Sequence, residues 1–200
     1  MTRNLLVRSA VAATVLFTGS MVLAQAPLAL TSSKITIAGT SNIHDYTATT
    51  TQAKVTKVQL GAATPGATFW EDVQKPGGLQ SFQVTVPALT LKSTKDGLDK
   101  NMYKALKADK HPEITFTMTR MEGEPGALKA IGTLSVAGVE KEVILPLKTT
   151  RKGESLAVSG VLDILMTDYG IAPPKAMMGM VKADPKIKIT FDVLLGVAST

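Results

Sequence analysis

The sequence predicts a mainly β protein, an antiparallel barrel in preference to a sandwich, with one helix lying over it. Three observations point there. About seven or eight short segments alternate apolar and polar residues with a period of two, and turn residues separate them. A single stretch, beginning at Leu98, carries the period of a good helix. A parallel sheet needs crossover helices between its strands, and one helix cannot supply them. A barrel leaves no free strand edges, and a helix of this kind can close one of its mouths.

From the N-terminus, Arg3 and Arg8 flank the start of a short apolar run, Ala10 to Leu23, of about 14 residues. Spanning a bilayer takes roughly 20, so residues 1–24 are expected to be a cleaved export signal. Cleavage is expected after Ala24, with Ala26 second, and an uncleaved anchor is the alternative. No cysteine follows, which excludes a lipid-modified N-terminus. Residues 25–33 then read as a lead-in and 34–196 as one domain, periplasmic or secreted.

Ile35 and Ile37 alternate with polar neighbours and form the first strand. Gly39 to Tyr46 is a turn, and Tyr46 to Gln59 reads as one long threonine-rich strand. Gly61 to Gly78 is mostly loop, with Phe69 and Trp70 in it, the latter read as a core plug. Phe82, Val84 and Val86 alternate in a strand ended by Pro87. Leu98, Met102, Ala105 and Leu106 then make an apolar helical stripe, with Lys100, Lys104 and Lys107 opposite. This helix is expected near residues 98–108, capped by Asp96 or Asp99 and ended by Pro112.

Ile114, Phe116 and Met118 alternate with threonines in the next strand. Leu134 and Val136, a turn at Ala137 to Glu140, and Val143, Leu145 and Leu147 make a strand pair, with Pro146 marking an edge or bulge. Leu156, Val158, Leu162, Ile164 and Met166 hold every second position except Gly160, which permits a bend. Thr167 to Pro174 breaks that strand, and Lys175 to Met180 is a short loop or helical turn with Met177, Met178 and Met180. Ile187, Ile189, Phe191 and Val193 close the pattern.

A composition of 44% hydrophobic and 19% charged residues in a chain of 200 suits one domain with a sizeable core. The absence of cysteine excludes disulfides, Cys-based zinc sites, iron–sulfur clusters and thiol nucleophiles. With two histidines, His44 and His111, no metal site is expected, and no cofactor motif is present. The formal charge of +6 falls to +4 without residues 1–24, which hold two arginines and no acid. The lysines are dispersed and aromatics are 4%, so nucleic-acid binding is not expected, while anionic surfaces or head groups stay open. Beyond the signal no apolar run reaches spanning length, so no integral membrane protein is expected; monomer and homodimer stay open.

Ser41, His44 and Asp45 contain the ingredients of a nucleophile and base, yet neighbours on an extended chain point opposite ways. The favoured reading is that these residues, with Asn42, hydrogen-bond backbone groups and fix a turn. Asp168 is either a turn residue or a polar group at a cavity mouth. Methionine conforms to varied apolar partners, so inward faces rich in methionine and aliphatics suit a long flexible chain such as a lipid tail.

Three segments together resemble the YceI-like family of exported, lipocalin-like, polyisoprenoid- or lipid-binding proteins. They are GTSNIHDY from Gly39 to Tyr46, LDKNMYKALKADKHPEITF from Leu98 to Phe116, and GTLSVAGVEKEVILPL from Gly132 to Leu147 combined with MTDYGIAPPKAMMG from Met166 to Gly179. Tyr46 stands where the family more often has Trp or Phe. The resemblance implies an extended eight-stranded antiparallel lipocalin-like barrel, the helix near 98–108 over one end, and an isoprenoid or similar amphiphile in its lumen. An isoprenoid quinone, a prenyl phosphate or a fatty-acid-like lipid fits that description, with about 0.8 kcal/mol gained per buried methylene.

Residues expected to line such a lumen are Phe82, Val84, Met102, Leu106, Phe116, Met118, Leu134, Val136, Leu162, Ile164, Met166, Met177, Met178 and Phe191. His44, Lys104 and Asp168 are the expected polar groups for the head. The protein is then a binder with no catalytic residues. Two alternatives stay open: a small hydrolase or isomerase using His44 and Asp168, and an interaction or stress protein with a fully packed core.

Overall fold

In the computed structural model, residues 28–198 are described. The expected signal peptide and its cleavage sites at Ala24 and Ala26 lie outside them.

The chain runs β1 (Leu28–Ser41), β2 (Asp45–Thr50), β3 (Lys54–Leu60), α1 (Phe69–Val73), β4 (Leu79–Pro87), α2 (Asp96–Ala105), β5 (Glu113–Glu122) and β6 (Leu128–Val136). It continues through β7 (Val139–Lys152), β8 (Ser155–Leu165), β9 (Lys175–Ala176) and β10 (Val181–Val197). Single 3-10 turns at Ala88–Thr90, Met166–Tyr169 and Met177–Gly179 join some of these. Nine strands form one curled antiparallel sheet in the order β2-β1-β10-β8-β7-β6-β5-β4-β3, and β9 pairs with β10. The fold is the lipocalin-like β architecture expected, with ten strands in place of eight.

One of the added strands has a clear cause. Tyr46 to Gln59 is two strands, not one, because the chain breaks at residues 51–53 and buries Ala53. β2 pairs with β1 and β3 with β4, so this break carries the chain from one end of the sheet to the other. The curl therefore brings the two end strands together. Their seam is fastened by the segment after β4: the Thr49 and Lys92 backbones exchange N–H···O bonds of 2.8 and 2.9 Å. Beside them the Thr50 hydroxyl lies 2.7 Å from that of Thr90, which itself donates to Pro87 O.

β1 begins at Leu28, inside the expected lead-in, and pairs with the far end of β10. A register shift between Leu30 and Ser32 explains why its start is hard to read. It moves the inward positions from Leu28 and Leu30 to Ser33, Ile35 and Ile37, so no single alternation runs through the strand.

Pro146 behaves as its missing amide dictates. β7 pairs with β6 from Val139 to Leu147, but with β8 only from Leu147 onward, so the β7–β8 ladder stops at the proline. Opposite it, Gly160 leaves room that a Cβ would take from the Phe191 ring and Pro146 O.

α2 is shorter than the 98–108 expected. Its cap is Lys95 in extended geometry, without a side-chain capping bond. Asp99 instead reaches back and accepts the Ser93 N–H at 2.7 Å. The end is set before Pro112 is reached: Lys107 adopts φ 51°, Ala108 N–H bonds Tyr103 O and Lys107 N–H bonds Lys104 O. That pairing is a Schellman motif, with lysine where glycine is usual.

The core lies in two clusters along the barrel. At one end α1, inside the expected loop, drives Phe69, Trp70 and Val73 among Leu28, Leu79, Met121, Leu128 and Leu195. At the other, Leu91 and Leu106 pack with Leu134, Val136, Met166, Tyr169 and Ile187, under α2. Phe116 touches both.

Candidate ligand-binding cavity

Between the α1 plug and the α2 cover lies a cavity of about 360 Å³. That falls within the 300–1,000 Å³ typical of small-molecule sites. Its wall is built by strand alternation, which sends every second side chain inward. Phe82 and Val84 of β4, Phe116 and Met118 of β5, and Leu134 and Val136 of β6 face it, as do Leu162 and Ile164 of β8 and Phe191 of β10. Met102 and Leu106 come from the α2 segment and Met166 from the 3-10 turn after β8.

Polar lining is confined to the ends. Gln74 and Thr149 lie beside α1; Ser41, His44, Tyr46, Thr47, Ser93, Asn101 and Lys175 lie at the α2 end. His44, Thr47, Asn101 and Lys175 are also solvent-exposed, so the cavity reaches the surface there. The β1–β2 turn forms one lip of this mouth. Ser41 Oγ donates to His44 O at 2.8 Å and accepts the His44 N–H, which supports the turn reading of this cluster. Asn42 Nδ2 donates to Met180 O at 2.9 Å and its Oδ1 accepts the Lys182 N–H at 2.8 Å, tying the turn to the loop before β10.

Tyr46 crosses from this lip into the wall. Its hydroxyl packs where a side chain on Gly39 would otherwise sit, which is why that position is glycine. Burial first and the Asp184 charge second raise its pKa above the usual phenol value.

Three of the expected site residues are not on the cavity. Lys104 is exposed on the outer face of α2; at 100° per residue it lies about 120° around the helix from the stripe that starts at Leu98. Asn101, on the edge of that stripe, takes the inward place. Asp168 is exposed because Met166 and Tyr169, three apart in a 3-10 turn, both point inward and leave it outward. Met178 is held at φ 57° with its side chain fully exposed. The side chain of Met177 lies outside the described residues. The pairing of His44 with Asp168 in one polar pocket, needed by the hydrolase alternative, is absent from the geometry: His44 is on the cavity wall and Asp168 is not.

Tyr46, Asn101 and Lys175 were missed as mouth residues. Helical periodicity carried the signal for Asn101. Tyr46 and Lys175 had none, because the mouth is formed by turns from separate parts of the chain.

A curled antiparallel barrel with an apolar lumen, plugged at one end and open between a helix and a turn at the other, defines a lipocalin-like architecture. The chain belongs to the YceI-like family, whose domain model matches residues 30–195. Among solved structures it is similar to Burkholderia cenocepacia BcnA, at 15% identity and TM-score 0.65 over 82% of this chain and 96% of that one. It is also similar to a polyisoprenoid binding domain from Saccharophagus degradans implicated in plant cell wall breakdown, at 12% identity and TM-score 0.63 over 87% and 100%. A third is the Campylobacter jejuni YCEI protein, at 18% identity and TM-score 0.54 over 74% and 85%. At these identities the likeness is one of fold. No curated protein matches the chain.

Proposed function

We propose that this protein is a binder, not a catalyst, that holds one long-chain amphiphile with its tail in the barrel and its polar end at the α2 mouth. One observation carries the reading: a cavity whose wall is apolar along the barrel and polar only at its ends. Moving an acyl or prenyl chain from water onto that wall gains about 0.8 kcal/mol per methylene, and no bond need break. The residues assigned to the tail are the expected lining set without Met177 and Met178. Those assigned to the head are His44, Tyr46, Asn101 and Lys175. The ligand class is a polyisoprenoid or similar lipid, in keeping with the family and with the Saccharophagus domain named for polyisoprenoid binding. Export follows from the charged and apolar character of residues 1–24, with release after Ala24.

The test is native mass spectrometry of the protein recovered from the cell envelope, with organic extraction and N-terminal sequencing. A stoichiometric lipid adduct is expected, and Ile164→Asp, which places a carboxylate on the wall, is expected to lose it while remaining folded. A bare mass that prenyl phosphates, quinones and fatty acids all fail to shift would overturn the reading. An N-terminus still at Met1 would overturn the export proposal.

A further inference from the structure

The lysines of α2 and its flanks have no part in the cavity. Residues 92–110 hold six lysines, at 92, 95, 100, 104, 107 and 110, against Asp96, Asp99 and Asp109, a net +3. The described chain as a whole carries +4, so nearly all its excess charge sits in this segment over one end of the barrel. Asp99 is buried and turned inward onto Ser93, with Lys92 at 3.7 Å. Among the described residues, Lys95, Lys100, Lys104, Lys107 and Lys110 make no ion pair.

Apolar tips stand at the same end. Leu89, 55% exposed, borders a shallow groove with Tyr103, Lys104, Lys107 and Lys110. Across the mouth, Ile43 is 58% and Met180 68% exposed, and Met178 is fully so. Asn42 ties the Ile43 turn to the methionine loop, so these tips form one lip.

We propose that the α2 end of the barrel docks on a bilayer surface containing anionic lipids. The unpaired lysines match its charge. Leu89, Ile43, Met178 and Met180 supply side chains that enter the boundary between head groups and tails, which a soluble polyanion has no means to receive. Among the described residues no helix is long and apolar enough to cross a membrane. The docking stands apart from the ligand reading; combined with it, it sets the mouth against the lipid phase, so that a tail entering or leaving the cavity avoids water.

The experiment is co-sedimentation of the protein with vesicles of phosphatidylcholine alone and of phosphatidylcholine with phosphatidylglycerol. Binding to the anionic vesicles that weakens with salt is expected, with little to the neutral ones. Each lysine near an anionic surface is worth roughly a fivefold factor, so Lys104→Gln/Lys107→Gln/Lys110→Gln is expected to bind about a hundredfold more weakly. Lys129→Gln/Lys148→Gln/Lys152→Gln, which removes equal charge at the α1 end, is expected to bind as before. Because the chain has no cysteine, Leu89→Cys labelled with an environment-sensitive dye reports this face alone, and its emission is expected to shift to the blue on anionic vesicles. Absence of binding to anionic vesicles, equal loss in both triple variants, or binding without a dye shift would each overturn the proposal. Ile164→Asp separates the two readings, since it is expected to lose the lipid adduct and keep the docking.

Discussion

Replacing Trp70 by alanine tests whether α1 is a plug or an ornament. The indole is 3% exposed, packs edge-on to Phe69 with ring centroids 5.1 Å apart, and is the only tryptophan in the chain. A buried Trp removes roughly 200 Å² from water, worth about 5 kcal/mol at 25 cal/mol per Å². Aromatic-to-alanine changes in cores cost about 3–5 kcal/mol once neighbours relax. A loss near 4 kcal/mol is therefore expected, which in a domain of this size lowers Tm by about 8–16 °C. The exposed Arg151–Glu71 ion pair, at 2.7 Å, also ties α1 to β7, but such pairs contribute about 1 kcal/mol at most and cannot replace the plug. The assay is denaturant and thermal unfolding followed by circular dichroism, with lipid binding measured below the transition. Val73 and Gln74 line the cavity floor, so loosening α1 is expected to weaken binding as well. A loss below about 1 kcal/mol, with binding intact, would refute the account of the α1 end.

Two further outcomes are expected. Hydrogen bonds from Ser93 first, and the Lys92 charge after them, hold the Asp99 carboxyl below its usual pKa. Its contribution to stability is thus complete above the unfolded value near 4 and disappears as pH falls through the lower folded value. Asp99→Asn should flatten that acid limb in unfolding curves taken from pH 6 to pH 2, and an unchanged limb would count against a stabilising role for the Ser93–Asp99 hydrogen bond. Gly39→Ala puts a methyl against the Tyr46 hydroxyl and Ile187, so it is expected to cost about 1–3 kcal/mol. It should also bring the Tyr46 phenol back toward its ordinary pKa, read by alkaline absorbance titration; a wild-type titration curve would mean that the ring does not occupy that space.

The parts of the molecule that could be read in advance are those whose signal is local. Alternation from Phe82 to Val86, Ile114 to Met118, Leu156 to Ile164 and Ile187 to Val193 marks inward faces, because a strand sends neighbours to opposite sides wherever it pairs. That is why nine of the fourteen expected lining residues stand on strands of the cavity wall, while Met102, Leu106 and Met166 reach it from the α2 segment and the turn after β8. Pro146 and Trp70 were legible for the same kind of reason: a missing amide and a large apolar ring constrain any fold that holds them. Failures came where local rules compete. Lys104, an expected head-group residue, lies outside the mouth because its helical phase turns it away from the apolar stripe. Asp168 reads as a turn residue or as a mouth group, and the 3-10 turn that sends Met166 and Tyr169 inward makes it the former. Tyr46 to Gln59 read as one strand because threonine suits a pleated surface on either side of the break at residues 51–53.

Taken alone, the sequence determined that the chain builds an antiparallel β barrel with aliphatic and methionine-rich inner faces, one covering helix and one tryptophan plug. Periodicity, turn chemistry and side-chain volume act within a few residues and need no knowledge of partners. Only the tertiary structure decided that β1 lies against β10 across most of the chain's length, and that β2 and β3 meet as opposite ends of one sheet. It alone decided that the interior holds a cavity. An inward side chain has the same sequence whether it touches a neighbour or empty space; how far the sheet curls, and so how much room is left, depends on the register of strands far apart in the chain.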